Sequence, residues 1–171
     1  MRWTLFVKST LALGLGAFAG ITLAIDEATM KTAYLYNFTK FIQWPDEQRT
    51  TLRLCIMGET QLSKSLDSLT GKQVRNMQIS VRSAVTLQNI PQCDLVFVPA
   101  GYRQPLERVR QMVNNYPILI VTESSETLPK GTMVALILND DRIFFEIDLS
   151  ATRQLGLQVS AKMLQLARKV Y

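Results

Sequence analysis

The stretch DLVFVPAGYRQPLERVRQMVNNYPILIV, Asp94 to Val121, contains a complete strand–helix–strand unit, and its reading decides the fold class. Asp94 to Val98 is rich in β-branched and aromatic residues and ends at Pro99, as a strand does. Pro105 stands at a first-turn position, Leu106, Val109 and Val113 recur at helical spacing, and Tyr116-Pro117 stops the helix. Ile118 to Val121 is then apolar at every position, the pattern of a strand covered by helices on both faces. A strand, a crossover helix and a second strand in that order predict a parallel pair.

Upstream the same grammar holds. Leu52 to Met57 (LRLCIM) is a short apolar run ending at Gly58, Leu62, Leu66 and Leu69 mark a helix that stops at Gly71, and Gln78 to Val81 reads as the next strand. From Asp26 to Trp44 the positions Met30, Tyr34, Asn37/Phe38, Phe41 and Ile42 recur at three and four, which predicts a helix closed by Trp44-Pro45. Downstream of Lys130-Gly131, Met133 to Leu138 and Ile143 to Ile147 are separated by a connection of hairpin length, Asn139 to Arg142. Asp148 or Ser150 can cap a short helix ending at Gly156. Ser160 can cap a final helix with Met163, Leu164, Ala167 and Val170 on its inner face. The expectation is an α/β fold: a single three-layer domain over residues 25–171, with a mixed, mainly parallel sheet, its first strands parallel, and a C-terminal antiparallel hairpin.

Composition narrows the function. Of 171 residues 47% are hydrophobic and 19% charged, enough apolar material for a true core. Histidine is absent, which removes Ser-His-Asp and Cys-His nucleophile systems and histidine zinc sites. Arg2 and Lys8, followed by the apolar run Leu11 to Leu23 and Thr22-Leu23-Ala24, read as a signal peptide over residues 1–24, cleaved after Ala24. An uncleaved membrane anchor is the alternative. Without those two cations, 17 basic residues face 14 acidic ones, and they are scattered, so no nucleic-acid partner is expected.

Cys55 sits inside the first predicted strand and Cys93 opens the third. If those strands are neighbours, the thiols come within bonding range, and in an exported protein they would be oxidised; two separate buried thiols are the other reading. Gly58 to Ser65 follows a strand and enters a helix like a phosphate loop, but Ser63 replaces the required second glycine, so the motif is broken. Asp140, Asp141, Glu146 and Asp148 form the densest carboxylate group, yet lack the spacing of a calcium loop; turn polarity and an exposed strand face explain them. No catalytic residue, metal ligand or cofactor is assigned. Tyr34, Tyr36, Phe38, Phe41 and Trp44 include residues on different sides of the first helix, so that helix either carries an interface or is buried nearly all round.

Three blocks together span nearly all of the mature chain: Lys31 to Pro45 (KTAYLYNFTKFIQWP), Leu52 to Ile56 with Gly71-Lys72, and Arg142 to Leu149 (RIFFEIDL) running through Gly156-Leu157 and Ser160 to Leu164 and Leu166-Ala167. They resemble the YfiR family, small exported proteins whose named member holds back a membrane-bound diguanylate cyclase. The cysteine pair matches the family's first disulfide, and a second pair found in some relatives is missing. The resemblance implies a periplasmic, non-enzymatic, dimeric repressor that binds the periplasmic part of an inner-membrane cyclase and lowers cyclic di-GMP synthesis. The contact residues expected for that partner are Arg142, Phe144, Glu146 and Gln158, on the late hairpin and the helix after it, with Tyr36 and Phe41 as a second patch. The competing class is a small-molecule sensor resembling one lobe of a solute-binding protein, its ligand held near Gly58, Pro99 to Tyr102 and Thr122 to Ser124.

Overall fold

The computed structural model describes residues 26–46, 48–102, 106–139 and 142–171. The expected signal peptide, the helix entry at Pro105 and the turn residues Asp140 and Asp141 lie outside the described residues. Among the described residues the elements run in the order α1 (Glu27–Phe41), β1 (Ile42–Gln43), β2 (Thr51–Met57), α2 (Leu62–Asp67), β3 (Gln73–Val74), β4 (Met77–Val85), a 3₁₀ turn (Leu87–Gln92), β5 (Leu95–Val98), α3 (Leu106–Val113), β6 (Leu119–Ser124), β7 (Val134–Asn139), β8 (Arg142–Ile147), α4 (Leu149–Gln154), β9 (Gln158–Val159), α5 (Ala161–Leu166) and β10 (Lys169–Val170).

The main sheet has eight strands in the order β10-β8-β7-β6-β5-β2-β4-β3. Its centre, β4-β2-β5-β6-β7, is parallel throughout, with Leu54 beside Leu95 and Leu95 beside Leu119. β2 and β5 are therefore neighbours, the condition under which the two cysteines come within bonding range. The antiparallel hairpin is found too, β7 and β8 running from Val134 beside Ile147 to Asn139 beside Arg142. Right-handed crossovers explain the layers. The chain leaves β2 in one direction to reach β4 through α2, then turns back through the 3₁₀ turn and α3, so these lie on opposite faces. α1 accordingly packs on α2 and α5, and α3 packs on the 3₁₀ turn. Covered on both faces, β5 is buried at all four positions, as its apolar run requires.

Three sequence expectations need correction. The buried stripe of α1 is Lys31, Leu35, Phe38 and Thr39 with Ile42, while Met30, Tyr34 and Phe41 are half-buried at its margins. The stripe is turned because Phe38 and Tyr34 meet Phe145 edge-on, at centroid distances of 5.2 and 6.0 Å, and Tyr34 donates to the Ile143 carbonyl at 2.6 Å. The last helix ends at Leu166, so Ala167 is its C-cap and Val170, expected inside, lies exposed on β10. β4 is longer than Gln78 to Val81; its outer half, Arg82 to Ala84, is exposed and carries no apolar signal. A bulge there shifts the pairing with β2 between Cys55 and Met57 and holds Ala84 at φ +55°. The two-residue strands β1 and β9 form a separate antiparallel pair, too short for any periodicity to show.

Candidate interaction site

β8 places Arg142, Phe144 and Glu146 on one side and Ile143, Phe145 and Ile147 on the other, where α1 packs. Arg142 and Phe144 are exposed, as expected. Glu146 is not: it is 3% exposed, because β10 runs parallel to β8 with Lys169 beside Glu146 and brings Arg168 and Tyr171 over it. Its Oε1 accepts from Arg168 Nε and Nη2 at 3.1 and 2.8 Å. Its Oε2 accepts from the Leu128 amide at 2.9 Å and from the Thr127 and Tyr171 hydroxyls at 3.0 Å each. Burial by itself would raise this carboxyl. The Arg168 bonds, the Leu128 amide and the two hydroxyls outweigh it and hold the group at about 2, against an ordinary 4.5. Glu146 is thus a clamp under the surface, tying β10 to the segment around Thr127, and its expected place on an exposed face is corrected.

Around this clamp apolar side chains stand exposed beside the cations Arg142, Arg168 and Lys169. Phe144, Val170 and Tyr171 are 36%, 42% and 44% exposed, and Leu166 at the end of α5 is 62% exposed. The Arg168 guanidinium lies 6.0 Å from the Phe144 ring centre, and Lys169 lies 4.2 Å from that of Tyr171. Gln158 is exposed but sits elsewhere: β9 pairs it with Gln43 at the end of α1, and Ser160 N bonds the Phe41 carbonyl at 2.9 Å. It therefore joins the Tyr36 and Phe41 patch and not the hairpin. Tyr36 and Phe41 are half-buried. Their rings are met by Lys40 and Lys72 at 4.9 and 5.4 Å and by Lys162 at 5.7 Å. Arg168, Tyr171 and Thr127 were missed by sequence reasoning, since nothing in Arg168-Lys169-Val170-Tyr171 distinguishes a strand from the end of a helix.

Cys55 and Cys93 form a disulfide, Cα atoms 5.9 Å apart, bridging β2 to the residues that open β5; both are buried, at 0% and 2% exposure. Beside it, Asp94 is 1% exposed and accepts from Arg53 N, Nε and Nη2 at 2.7, 3.1 and 3.0 Å, with Arg49 as a further partner. This node fixes the amino ends of β2 and β5.

At their carboxyl ends a cleft of about 490 Å³ opens between Met57-Gly58-Glu59 and Pro99 to Tyr102, at the point where the strand order reverses. Gly58 has φ +63°, and a Cβ there would come within 3.3 Å of the Tyr102 ring. The neighbouring cleft, about 460 Å³, is lined by Lys31, Glu123, Glu27 and Thr60 among others. Lys31 bonds Glu123 at 2.7 Å and also Glu27; burial would lower its pKa, but these two carboxylates raise it. Glu123 also accepts from the Ala100 amide at 2.8 Å. Of the residues expected around a ligand, Gly58 and Pro99 to Tyr102 do share one cleft, whereas Thr122 is buried with its hydroxyl donating to the Val98 carbonyl. Among the described residues no group of three or more Cys, Asp or Glu could hold a metal ion, and no helix is long and apolar enough to cross a membrane.

Two solved structures share this arrangement: an ABC domain in complex with L-Trp from Streptococcus pneumoniae and a conserved domain protein from Vibrio cholerae. Each superposes with a TM-score of 0.56 at 8% identity, over 84% and 85% of this chain. This chain spans 60% of either one's length, and at such identity the likeness is one of fold. The sequence itself matches the YfiR/HmsC-like family over residues 28–168, from the start of α1 to the arginine that clamps Glu146, and the chain belongs to that family.

Proposed function

We propose that this protein is a periplasmic, non-enzymatic regulator that binds, as a homodimer, the periplasmic domain of an inner-membrane diguanylate cyclase and lowers cyclic di-GMP synthesis. The observation that carries the reading is the family match over residues 28–168. Membership supports a periplasmic regulatory role in general; the cyclase is the specific step proposed. A buried disulfide suits an oxidising compartment. Such a regulator acts by preferring one conformation of its partner, because only differential affinity shifts an equilibrium. Arg142, Phe144 and Tyr171, on one side of the sheet margin, supply a contact surface, and Tyr36, Phe41 and Gln158 supply a second one. The test is cellular cyclic di-GMP in strains lacking, carrying and overproducing the protein. The level should fall as the protein rises, and Phe144→Asp should restore it. An unchanged level across the three strains would end the proposal.

A second reading has its own observation, the cleft of about 490 Å³ at the strand-order reversal. A small molecule seated there would touch the carboxyl ends of β2 and β5. A thermal-shift screen with periplasmic metabolites would reveal it as a stabilisation that Gly58→Val abolishes, and a screen without any shift would count against it.

A further inference from the structure

Lys40, Lys72 and Lys162 are exposed, and none of them pairs with a carboxylate among the described residues. Their ammonium groups lean instead on the rings of Tyr36 and Phe41. Lys40 and Lys72 share the Tyr36 ring, which places the two charges within about 10 Å of each other, roughly a Debye length in physiological salt. Between the flanks, α1 turns outward the small uncharged side chains of Ala33 and Asn37. Arg75, at φ +54° in the turn between β3 and β4, reaches the end of that helix, donating to the carbonyls of Lys40 and Ile42 at 3.0 and 3.1 Å, and adds a further exposed cation. Like charges gathered this way repel one another, and an anion laid among them removes the repulsion.

We propose that the outward face of α1, between Lys72 on one flank and Lys162 on the other, docks an acidic segment of the regulator's protein partner. The inference rests on the reading above and adds the chemistry of the partner. Charge complementarity argues for the acidic segment. The rings argue against a lipid surface: membrane-seated aromatics stand bare at the headgroup level, whereas Tyr36 and Phe41 are half-buried beneath ammonium groups.

The test compares Lys40→Glu/Lys72→Glu/Lys162→Glu with a control of equal charge change on other elements, Arg82→Glu/Arg110→Glu/Lys130→Glu. Both should keep the thermal midpoint, as exposed positions do. In a strain lacking the native protein, wild type and control should lower cyclic di-GMP alike, and the α1 variant should not. By fluorescence anisotropy an octaglutamate peptide should bind the α1 variant roughly tenfold more weakly than the other two. Equal weakening in both variants would show a net-charge effect and overturn the proposal, as would full repression by the α1 variant. Sedimentation with phosphatidylglycerol vesicles that needs these lysines, without peptide binding, would overturn it in favour of a membrane. A wild type that leaves cyclic di-GMP unchanged refutes the regulatory reading, and the peptide measurement then still decides the surface.

Discussion

Glu146 shows how a single side chain can matter most where it cannot be seen. Its carboxyl is held at about 2 in the folded protein against 4.5 ordinarily, so the folded state favours the ionised form. A depressed carboxyl contributes stability that is complete above the ordinary value and is lost as pH falls through it toward the folded value. With Arg168 partly exposed, that contribution is about 2 kcal/mol after allowance for solvent screening. Urea unfolding at fixed temperature should therefore show a midpoint that is flat from pH 7 to 5 and declines toward pH 3. Glu146→Gln should cost about 2 kcal/mol at pH 7 and flatten the decline; an unaltered pH profile in that variant would assign the acid sensitivity to other groups. Alternation along β8 correctly placed Glu146 on the side with Arg142 and Phe144. It could not tell what covers that side, because the cover, β10, is two residues long. Ala84 is a second residue-scale case. At φ +55° an alanine pays the left-handed penalty of about 1–2 kcal/mol, partly offset in glycine by greater chain entropy, so Ala84→Gly should stabilise by about 0.5–1 kcal/mol in the same assay. A loss of stability there would show that the methyl makes a needed contact.

Among the elements, β2 is the one most firmly held. It lies between β4 and β5, is tied to the start of β5 by Cys55–Cys93, and is pinned at its amino end by Arg53 on Asp94. The disulfide closes a loop with a sequence separation of 38, worth about 4 kcal/mol on the chain-entropy account. Cys55→Ala/Cys93→Ala should lower the chemical denaturation midpoint accordingly and steepen the slope, because the unfolded chain without the crosslink exposes more surface. Since both cysteines are buried, the native protein should resist mild reductant, its thiols becoming titratable only on unfolding. Rapid native-state reduction would show that this part of the sheet opens locally. The strands β2, β5 and β6 were legible because continuous apolar runs are what double-sided burial demands. The face of α1 was less so: Tyr34 and Phe41 look like core residues by type, yet Lys31 and Thr39 are buried in their place. Lys31 is tolerated there only through Glu27, an i,i+4 partner that the sequence shows, and Glu123, which no local pattern announces.

For the molecule as a whole, the helix–strand grammar showed the parallel strands and the hairpin, whereas the contact surfaces depend on pairings distant in sequence. Gln158 illustrates this, since β9 carries it away from the hairpin to the end of α1. The eight-stranded sheet also ends on both sides in strands of two residues, β3 and β10. An unpaired strand edge is a template on which other chains can stack, and brevity blunts it. At high concentration such blunt margins keep copies of this protein from joining sheet to sheet into fibrils. Replacing Lys169 and Tyr171 with valine, which gives the outer margin a longer β-branched run without its cation, should make concentrated solutions turn thioflavin-positive where the native protein stays clear.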